Sequence, residues 1–322
     1  SFKKVKKFFD VVTYDGTGSA QTLSHSLNSV PGMILVKCTS AGSTNWQVYH
    51  RGANGGTNPE QYRLELNQNG AEQDFANAWN DTAPTSTQFT IGISADTGGS
   101  GKSYVAYLFA HETGSDSMIQ CGGVTISGDT TVDLGFEPQW VFYKKTSGTG
   151  NWNIIDTMRG FTVDGAIVAL YPNLTNAESA GSGYEKLTST GFIMQNYTNG
   201  DKYIYVAIRR PNMITITDAT KVFDVTLTSQ DTSLVQTDLS VIDWNMHLAR
   251  TGEHTILSTR MLGNLNRINT SRTNAEAAYG SAPGRGNFDT MGKIQAFTSN
   301  SQVCYSFTRA KGFFDVVTYT GD

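Results

Sequence analysis

Histidines are the first residues to consider for catalysis, because their imidazole rings often serve as general acids and bases. His50 and His111 each follow a predicted strand in the first third of the chain, while Met158 and Arg209 stand at about those places in the second third. A lone loop histidine is usually a surface residue, and we expect this of the five histidines, at positions 25, 50, 111, 247 and 254. HExxH, GxSxG and Walker motifs do not occur. The string GGSGKS (98–103) leads into a strand and predicts a hairpin loop.

Carboxylates could act in pairs on a glycosidic bond or in groups on a calcium ion. Glu65 and Asp133 are isolated in the sequence, and the ExDxxE string of one class of β-sandwich glycosidases does not occur. Asp96, Asp129 and Asp231 lie in separate Gly/Ser/Thr loops, so calcium binding stays an open alternative. The sequence therefore predicts that the protein is not an enzyme and has no catalytic residue, cofactor or assigned metal site.

Aromatic side chains are the remaining lead, since Tyr and Trp rings can stack on sugars. Trp79, Tyr184 and Tyr279 each precede a TSTxF-type strand by 8 to 10 residues. They are candidates for stacking on a glycan, with the alternative that they plug the open edge of a hydrophobic core. Trp46 and Trp152 lie inside predicted strands and are interpreted as packing residues.

The chain repeats itself, which is its most informative feature. The string FFDVVTY occurs at residues 8–14 and again at 313–319, and Ser1 and Phe2 match Ser306 and Phe307 at the same offset of 305. Three modules fill this interval, with a mean period of roughly 102 residues, a normal domain size. Internal markers agree with this period. VPGMILVK (30–37) matches EPQWVFYK (137–144), and each module closes with a string that begins with a tyrosine, at Tyr107, Tyr205 and Tyr305.

These matches predict five segments. Residues 1–7 are the closing strand of a preceding module, 8–114, 115–212 and 213–312 are β-sandwich modules 1, 2 and 3, and 313–322 is the first strand of a following module. We expect an interior slice of a longer array. A closed protein with matching terminal strands is the alternative.

Short runs rich in β-branched and aromatic residues, separated by Gly, Ser, Asn and Thr, predict strands throughout. The only plausible helix is AEQDFANAWN (71–80), of two or three turns at best. The predicted fold class is all-β, in tandem antiparallel β-sandwich (jelly-roll or concanavalin-like) repeats of about 100 residues. A β-propeller is the main alternative, but its blades run to about half this period.

Composition excludes several classes. Charged residues make up 16% of the chain and the net charge is −4, without the basic field of a nucleic-acid binder. The sequence has no apolar run of the roughly 20 residues that a membrane helix needs, so membrane insertion is not expected. The three cysteines, Cys38, Cys121 and Cys304, are far apart in unlike contexts, which argues against a disulfide framework or a zinc site.

The quoted strings resemble the concanavalin A-like or LamG-like modules found in tandem in tail-fibre and related virion proteins of tailed phages of marine cyanobacteria. The resemblance also includes NW, LELN (64–67), PTSTQFTIG (84–92) and YVAYLFAHETG (104–114). Module 1 matches along nearly its whole length, and module 3 has drifted, with Asp243 in place of the proline. The resemblance transfers no catalytic residue.

The resemblance implies a structural protein on a tail appendage of the virion, made in the host cytoplasm. It would be a tail fibre or spike segment that spaces or presents host-receptor binding. Its expected partners are copies of itself in a homo-oligomer (a trimer), other virion tail proteins, and a host cell-surface glycan or protein. A glycan-binding lectin module is the second hypothesis, and a polysaccharide depolymerase is the third.

Overall fold

The computed structural model describes most of the chain, namely residues 2–114, 116–159, 161, 163, 168–180, 184–210, 218–228, 234–237, 239, 241–250, 255–262, 266–270, 273, 277–278, 293–295, 302–310 and 312–316. Antiparallel strands dominate it, so the predicted all-β, sandwich-type fold is confirmed. Among the described residues no helix is long and apolar enough to cross a membrane.

Module 1 contains eight strands and one helical turn. They are β1 (Phe9–Asp15), β2 (Gln21–Ser24), β3 (Pro31–Cys38), β4 (Gln47–His50), β5 (Tyr62–Glu65), β6 (Gln73–Asp74), α1 (Ala76–Trp79), β7 (Gln88–Ile91) and β8 (Ser103–Ala110). The large sheet has the order β1-β8-β3-β4-β5-β6, and β2 pairs with β7 in a small sheet. The predicted helix is thus reduced to the four residues of α1.

Side chains alternate between the two faces of a strand, and this assigns the faces of the large sheet. Tyr14 and Tyr104 stack on each other at 5.2 Å, and Tyr14 also meets Phe89 of the small sheet, so they mark the inner face of module 1. Phe9 and Phe109 are register partners and lie on the opposite, outer face. Both faces of this sheet therefore carry large apolar residues.

Module 2 contains β9 (Ile119–Thr125), β10 (Thr130–Asp133), β11 (Pro138–Lys145), β12 (Trp152–Asp156), β13 (Val168–Ala169), β14 (Ser179–Ala180), β15 (Glu185–Thr188), β16 (Gly191–Met194) and β17 (Lys202–Arg209). Its large sheet has the order β12-β11-β17-β9, and β10 pairs with β16. Phe192 of β16 meets Tyr205 edge-on at 5.6 Å, which marks the inner face of module 2.

Module 3 contains β18 (Phe223–Thr228), β19 (Leu234–Gln236), β20 (Trp244–Ala249), β21 (Ile256–Thr259), β22 (Asn266–Asn269), β23 (Ala277–Ala278), β24 (Lys293–Gln295) and β25 (Gln302–Phe307). Its large sheet, in the order β18-β25-β20-β21-β22-β23, repeats the strand order of the module 1 sheet. Short 3-10 turns span Ala53–Gly56, Pro59–Gln61, Thr157–Arg159, Ala219–Lys221 and Arg260–Leu262.

The chain divides into two compact units. Unit 1 comprises Ser1–Ile154, Ala169–Ser179 and Ser189–Arg210, and unit 2 comprises Ile155–Val168, Ala180–Thr188 and Pro211–Asp322. Module 1 and most of module 2 thus belong to one unit. One buried apolar cluster contains Phe9 and Phe109 from module 1 together with Phe142, Trp152 and Val206 from module 2. The predicted boundary at 114/115 falls between β8 and β9, which lie in different sheets, but the apolar core continues across it.

The predicted closing strand at residues 1–7 is not observed in the described residues 2–7, and the strand registers shift the alignment of Tyr205 by one residue. Residues 2–7 form no strand, and only a bridge from Val5 to Phe9 is present. At the other end Ala310 bridges to Phe314, and residues 317–322 lie outside the described part. Tyr205 is one residue out of step with its supposed counterpart: Tyr107 pairs with Val11, whereas the equivalent of Tyr205 is Ala106, which pairs with Val12.

Candidate functional site

The turn that leads into a module is the feature that recurs most closely, and we call it the entry turn. It spans residues 2–10 at the start of the chain and 307–315 at the end. In the first copy Val5 donates to Phe9 O at 2.9 Å, and Val5 O accepts from the N–H groups of Phe8 and Phe9 at 3.1 and 3.0 Å. In the second copy the same three bonds join Ala310 to Phe313 and Phe314, at 2.8, 2.9 and 3.0 Å.

An aromatic cluster closes each entry turn. Phe2 lies 6.3 Å from Phe8 and 5.1 Å from Phe9. Its counterpart Phe307 lies 6.3 Å from Phe313 and 4.9 Å from Phe314. Each phenylalanine also meets a large-sheet tryptophan edge-on: Phe2 meets Trp140, and Phe307 meets Trp244. The same aromatic geometry therefore forms at both ends of the chain.

An ion pair accompanies the aromatic cluster. Lys4 Nζ lies 2.8 Å from Asp10 Oδ1, and at the equivalent positions Arg309 lies 3.9 Å from Asp315. Asp10 is buried, and its two carboxylate oxygens also accept from the backbone N–H groups of Val11 and Ser26 at 2.8 and 2.6 Å. Burial raises the pKa of Asp10, but Lys4 and the two N–H groups outweigh burial and hold the pKa below its usual value. Asp10 is therefore a structural carboxylate that ties the entry turn to the loop after β2.

Modules 1 and 2 meet through the outer faces of their large sheets, and His50 lies in this contact. Its Nε2 is 3.0 Å from the carbonyl oxygen of Tyr205, and its Nδ1 accepts from Gly52 N–H at 3.0 Å. Glycines allow the backbones to approach: a Cβ on Gly52 would lie 2.8 Å from Gly123 N, and one on Gly32 would lie 2.5 Å from Cys121 Cβ.

The predicted surface role of the histidines is wrong for His50, His25 and His247, which are buried. Burial disfavours imidazolium and lowers the pKa of His50 to about 3. His111 is half-buried beside Arg51 and accepts from Cys121 N–H; burial and that arginine lower its pKa to about 4. His254 lies outside the described residues. These histidines act as hydrogen-bonding groups in the packing, because each ring is held neutral.

The repeated Asn-Trp pair forms a clamp with a second asparagine 22 residues later. Asn67 accepts from Trp46 N–H and donates to Asn45, both at 2.9 Å. Asn173 does the same for Trp152 and Asn151, at 3.0 and 2.9 Å. The predicted packing role holds for both tryptophans: Trp152 stacks on Phe142 at 4.9 Å and Trp46 on Tyr107 at 6.2 Å. The indole N–H of Trp152 also donates to Glu65 O of module 1 at 3.0 Å.

Two carboxylates that are isolated in the sequence come together in module 1. Gln47 Nε2 donates to Glu65 Oε1 at 3.3 Å and to Asp96 Oδ2 at 3.1 Å. Asn45 also donates to both carboxylates, and Arg63 lies 3.6 Å from Glu65. The sequence could not reveal this cluster, because Asp96 comes from the loop before β8. Its acceptors already bind neighbouring amides and a guanidinium, so it holds that loop against the sheet.

The three stacking candidates have different outcomes. Trp79 is 1% exposed, meets Tyr49 edge-on, and donates its indole N–H to Tyr62 O at 3.1 Å. The stacking prediction is therefore wrong for Trp79, which plugs the core because an aromatic ring beside the short strands excludes water. Tyr184 is 39% exposed and stays a candidate, and Tyr279 lies outside the described residues.

The aspartates and cysteines considered for metal binding have other roles or lie apart from one another. Among the described residues no group of three or more His, Cys, Asp or Glu side chains could hold a metal ion. Asp129 accepts from Gln195 at 2.7 Å, Asp133 caps the turn at Gly135, and Asp231 lies outside the described part. The three cysteines are buried free thiols. The string at 98–103 joins β7 to β8, but these two strands lie in different sheets, so the predicted hairpin loop is wrong.

Strand registers place Asp243 and His247 of module 3 where module 1 has Gly32 and Val36, so the expectation that Asp243 stands in place of the proline is wrong. Asp243 is fully buried, lies 3.7 Å from the guanidinium groups of Arg260 and Arg309, and accepts from Arg309 N–H. His247 Nδ1 lies 3.1 Å from Cys304 Sγ on the neighbouring strand. Burial lowers the pKa of His247 to about 4 and raises that of Cys304 to about 12. The pair is therefore a neutral thiol and imidazole and lacks the thiolate of a catalytic dyad.

Comparison with known sequences gives one assignment. A protein-family model described as a domain of unknown function (DUF7483) matches residues 4–211. The matched segment begins in the first entry turn and ends just after β17, so it spans modules 1 and 2 together. No curated protein matches the chain.

Proposed function

The chain belongs to the DUF7483 family, and we propose that it is a non-catalytic structural segment of a phage virion, a tail fibre or spike that spaces or presents host-receptor binding. The recurrence of the entry turn carries this proposal. An aromatic cluster, a three-bond turn and an ion pair form at both ends of the described chain, 305 residues apart. A fibre requires such repeated connections between compact modules, because each module contacts mainly its neighbours.

The shared core of modules 1 and 2 supports the same role. A connection through a flexible linker would let modules rotate freely, whereas these two modules bury apolar side chains and backbone hydrogen bonds against each other. Glu72 N–H donates to Thr146 O, and Gly150 N–H donates to Asn69 O, at 3.1 and 2.9 Å. The pair would act as one stiff element that keeps its neighbours at a fixed spacing.

Immunogold electron microscopy of intact particles tests this proposal. Antibodies raised against the 322-residue chain are expected to label thin appendages at the tail. Label on the capsid would replace the tail-fibre assignment with a head fibre or decoration protein. Absence of label from particles that react in a denaturing blot would argue for masked epitopes, so the particles are also labelled after mild dissociation. No label and no blot signal would overturn the virion proposal.

A glycan-binding function is the second candidate, and one observation favours it. An open groove of about 500 Å³ lies beside the first entry turn and is lined by Lys6, Lys7, Glu112, Thr113, Gly114, Asp116, Ser117 and Met118. Its polar groups could bind sugar hydroxyls. Titration calorimetry with host surface polysaccharide separates the two functions: a lectin predicts saturable binding that Asp116→Asn weakens, and a purely spacing segment predicts none.

A further inference from the structure

The sequence contains three Asn-Gly pairs, at residues 54–55, 69–70 and 199–200. An asparagine before a glycine can react within its own backbone, because glycine has no side chain to hinder attack of its nitrogen on the asparagine Cγ. The attack releases ammonia, and it requires that the asparagine side chain and the glycine N–H be able to meet. The three pairs differ in how far hydrogen bonds prevent this meeting.

Hydrogen bonds hold the first and the third pair. Asn54 is half-buried and donates its side-chain N–H to a backbone carbonyl oxygen at 2.8 Å. Asn199 Oδ1 accepts from Gly128 N–H at 2.7 Å. The attacking nitrogen of the third pair, that of Gly200, donates to Ile126 O at 2.9 Å. These bonds must break before either asparagine can react.

The second pair, Asn69–Gly70, lies in the loop between β5 and β6, and both residues are exposed. In the part of the chain that the structure describes, neither the Asn69 side chain nor the Gly70 N–H makes a hydrogen bond. A Cβ on Gly70 would have no heavy atom within 4 Å apart from those of its chain neighbours. The attack is therefore less hindered here than at the other two pairs.

Two donors from module 2 hold the backbone carbonyl of Asn69. Gly150 N–H donates to Asn69 O at 2.9 Å, and Lys144 Nζ lies 3.4 Å from the same oxygen. Two donors on one carbonyl oxygen form an oxyanion hole, which stabilises the negative charge that develops when water attacks the carbonyl carbon. Attack at the Asn69 carbonyl carbon is therefore favoured over attack at Cγ.

Lys144 is itself a cation that lacks a close anion. Its side chain is buried, and its ammonium donates to the backbone oxygens of Asn69 and Lys145. Among the described residues no carboxylate lies at hydrogen-bond distance from it. Burial and Lys145 lower the pKa of Lys144 to about 8, and Glu72 offsets this only in part. A carboxylate created at Asn69 would meet this unpaired buried charge.

We propose that Asn69–Gly70 is a self-modifying site whose product is an isoaspartate paired with Lys144. First, the Gly70 nitrogen loses its proton and bonds to Asn69 Cγ, and the side-chain nitrogen leaves as ammonia, which gives a succinimide ring. Water then adds its hydroxyl to the backbone carbonyl carbon of residue 69 and its proton to the Gly70 nitrogen, and the bond between those two atoms breaks. The chain now continues through Cγ, and the former backbone carbonyl is a carboxylate beside Lys144. Addition of water at Cγ would give an ordinary aspartate instead.

Incubation of the full chain at neutral pH, where Lys144 stays protonated, tests the site by tandem mass spectrometry. Each deamidated residue gains about 1 Da, and an isoaspartyl methyltransferase labels the isoaspartate but not the aspartate. We expect Asn69 to react at least about fivefold faster than Asn199, since hydrogen bonds at Asn199 must break first. Gly70→Ala hinders the attack, so it should slow the reaction at Asn69 and leave that at Asn199 unchanged.

Lys144→Met tests the direction of ring opening, because methionine keeps most of the buried stem and removes the charge. The ratio of isoaspartate to aspartate at residue 69 is expected to fall at least about threefold. Circular dichroism melting checks that the variant is folded, and the comparison of Asn69 with Asn199 in the native chain does not depend on it. The proposal is overturned by an unmodified Asn69, by equal rates at Asn69 and Asn199, by aspartate as the main product, or by a ratio that Lys144→Met leaves unchanged.

Discussion

Lys7 and Gly312 hold the same place in the two entry turns. Both have left-handed backbone conformations, with φ of 61° at Lys7 and 75° at Gly312. The turn requires this conformation because the residue after it must point its N–H back to Val5 O or Ala310 O. A side chain is strained in this region and glycine is not.

Lys7→Gly is therefore expected to stabilise unit 1. The relief of left-handed strain exceeds the entropy that glycine adds to the unfolded chain, and we expect a net gain of about 1 kcal/mol. The ion pair lost with Glu112 is exposed and long, at 3.6 Å, and offsets little of the gain. Urea unfolding measures the effect, and Lys6→Gly is the control, expected to be destabilising because Lys6 does not have a positive φ. Equal effects of the two substitutions would contradict the strain argument.

Asp10→Asn is expected to destabilise the first entry turn by about 2–3 kcal/mol, since an amide N–H₂ would face the N–H of Ser26 or Val11 and one buried donor would lose its acceptor. Lys4→Gln removes only the exposed partner and should cost less than about 1 kcal/mol. The pKa of Asp10 is lowered, so its contribution is complete above the ordinary aspartate pKa and is lost as pH falls through the folded value. Unfolding curves at neutral and acidic pH should show the difference between native and Asp10→Asn chains shrinking in acid.

The strands of module 1 could be predicted from the sequence because their residues signal them locally. GMILVKC and YVAYLFA gave β3 and β8 to within a residue or two. The pairing of modules through their outer faces was not predicted. A signal for it exists: Gly32 to Val36 is a continuous apolar run, which is typical of a strand buried on both faces.

The roles of single residues were harder to predict, because they depend on partners distant in the chain. The sequence predicts a surface position for His50, but its ring is buried and lies within hydrogen-bond distance of the carbonyl oxygen of Tyr205, 155 residues away. Asp96 and Glu65 are joined through Asn45 and Gln47, each of which donates to both carboxylates. Asn67 and Asn173 each stand 22 residues after their partners, Asn45 and Asn151, and this spacing is visible in the sequence. The hydrogen bonds that they make could be identified only from the structure.

Stability should fall between pH 6.5 and pH 5, and His50 accounts for part of the loss. The pKa of His50 is about 3 in the folded chain, so the unfolded chain alone takes up a proton below its ordinary value of 6.5. Between pH 6.5 and pH 5 this linkage amounts to about 1.6 kcal/mol, because the unfolded imidazole is already half protonated at pH 6.5. His50→Gln keeps one donor and one acceptor but cannot titrate, so the free energy of unfolding of this variant in urea should fall by about 1.6 kcal/mol less over that range. His111 and His247 retain their own contributions in it, and an unchanged pH dependence would contradict the assignment.

Gly122 pairs with Tyr205 in module 2, and Val12 pairs with Ala106 at the equivalent positions of module 1. The large side chain is therefore on the second residue of the pair in module 2 and on the first in module 1. A Cβ on Gly122 would lie 2.4 Å from Tyr205 Oη, so Gly122→Val alone should be destabilising, by about 1–3 kcal/mol. Tyr205→Ala alone removes a ring that packs on Phe192 and should cost about 3–5 kcal/mol. The double variant recreates the module 1 pair, and we expect it to be more stable than the sum of the single losses by at least about 1 kcal/mol. A double-mutant cycle from urea unfolding measures this coupling. Additive losses would contradict the argument that Gly122 leaves the space that the Tyr205 ring fills. The one-residue shift between Tyr107 and Tyr205 would then not be explained by the packing of this pair.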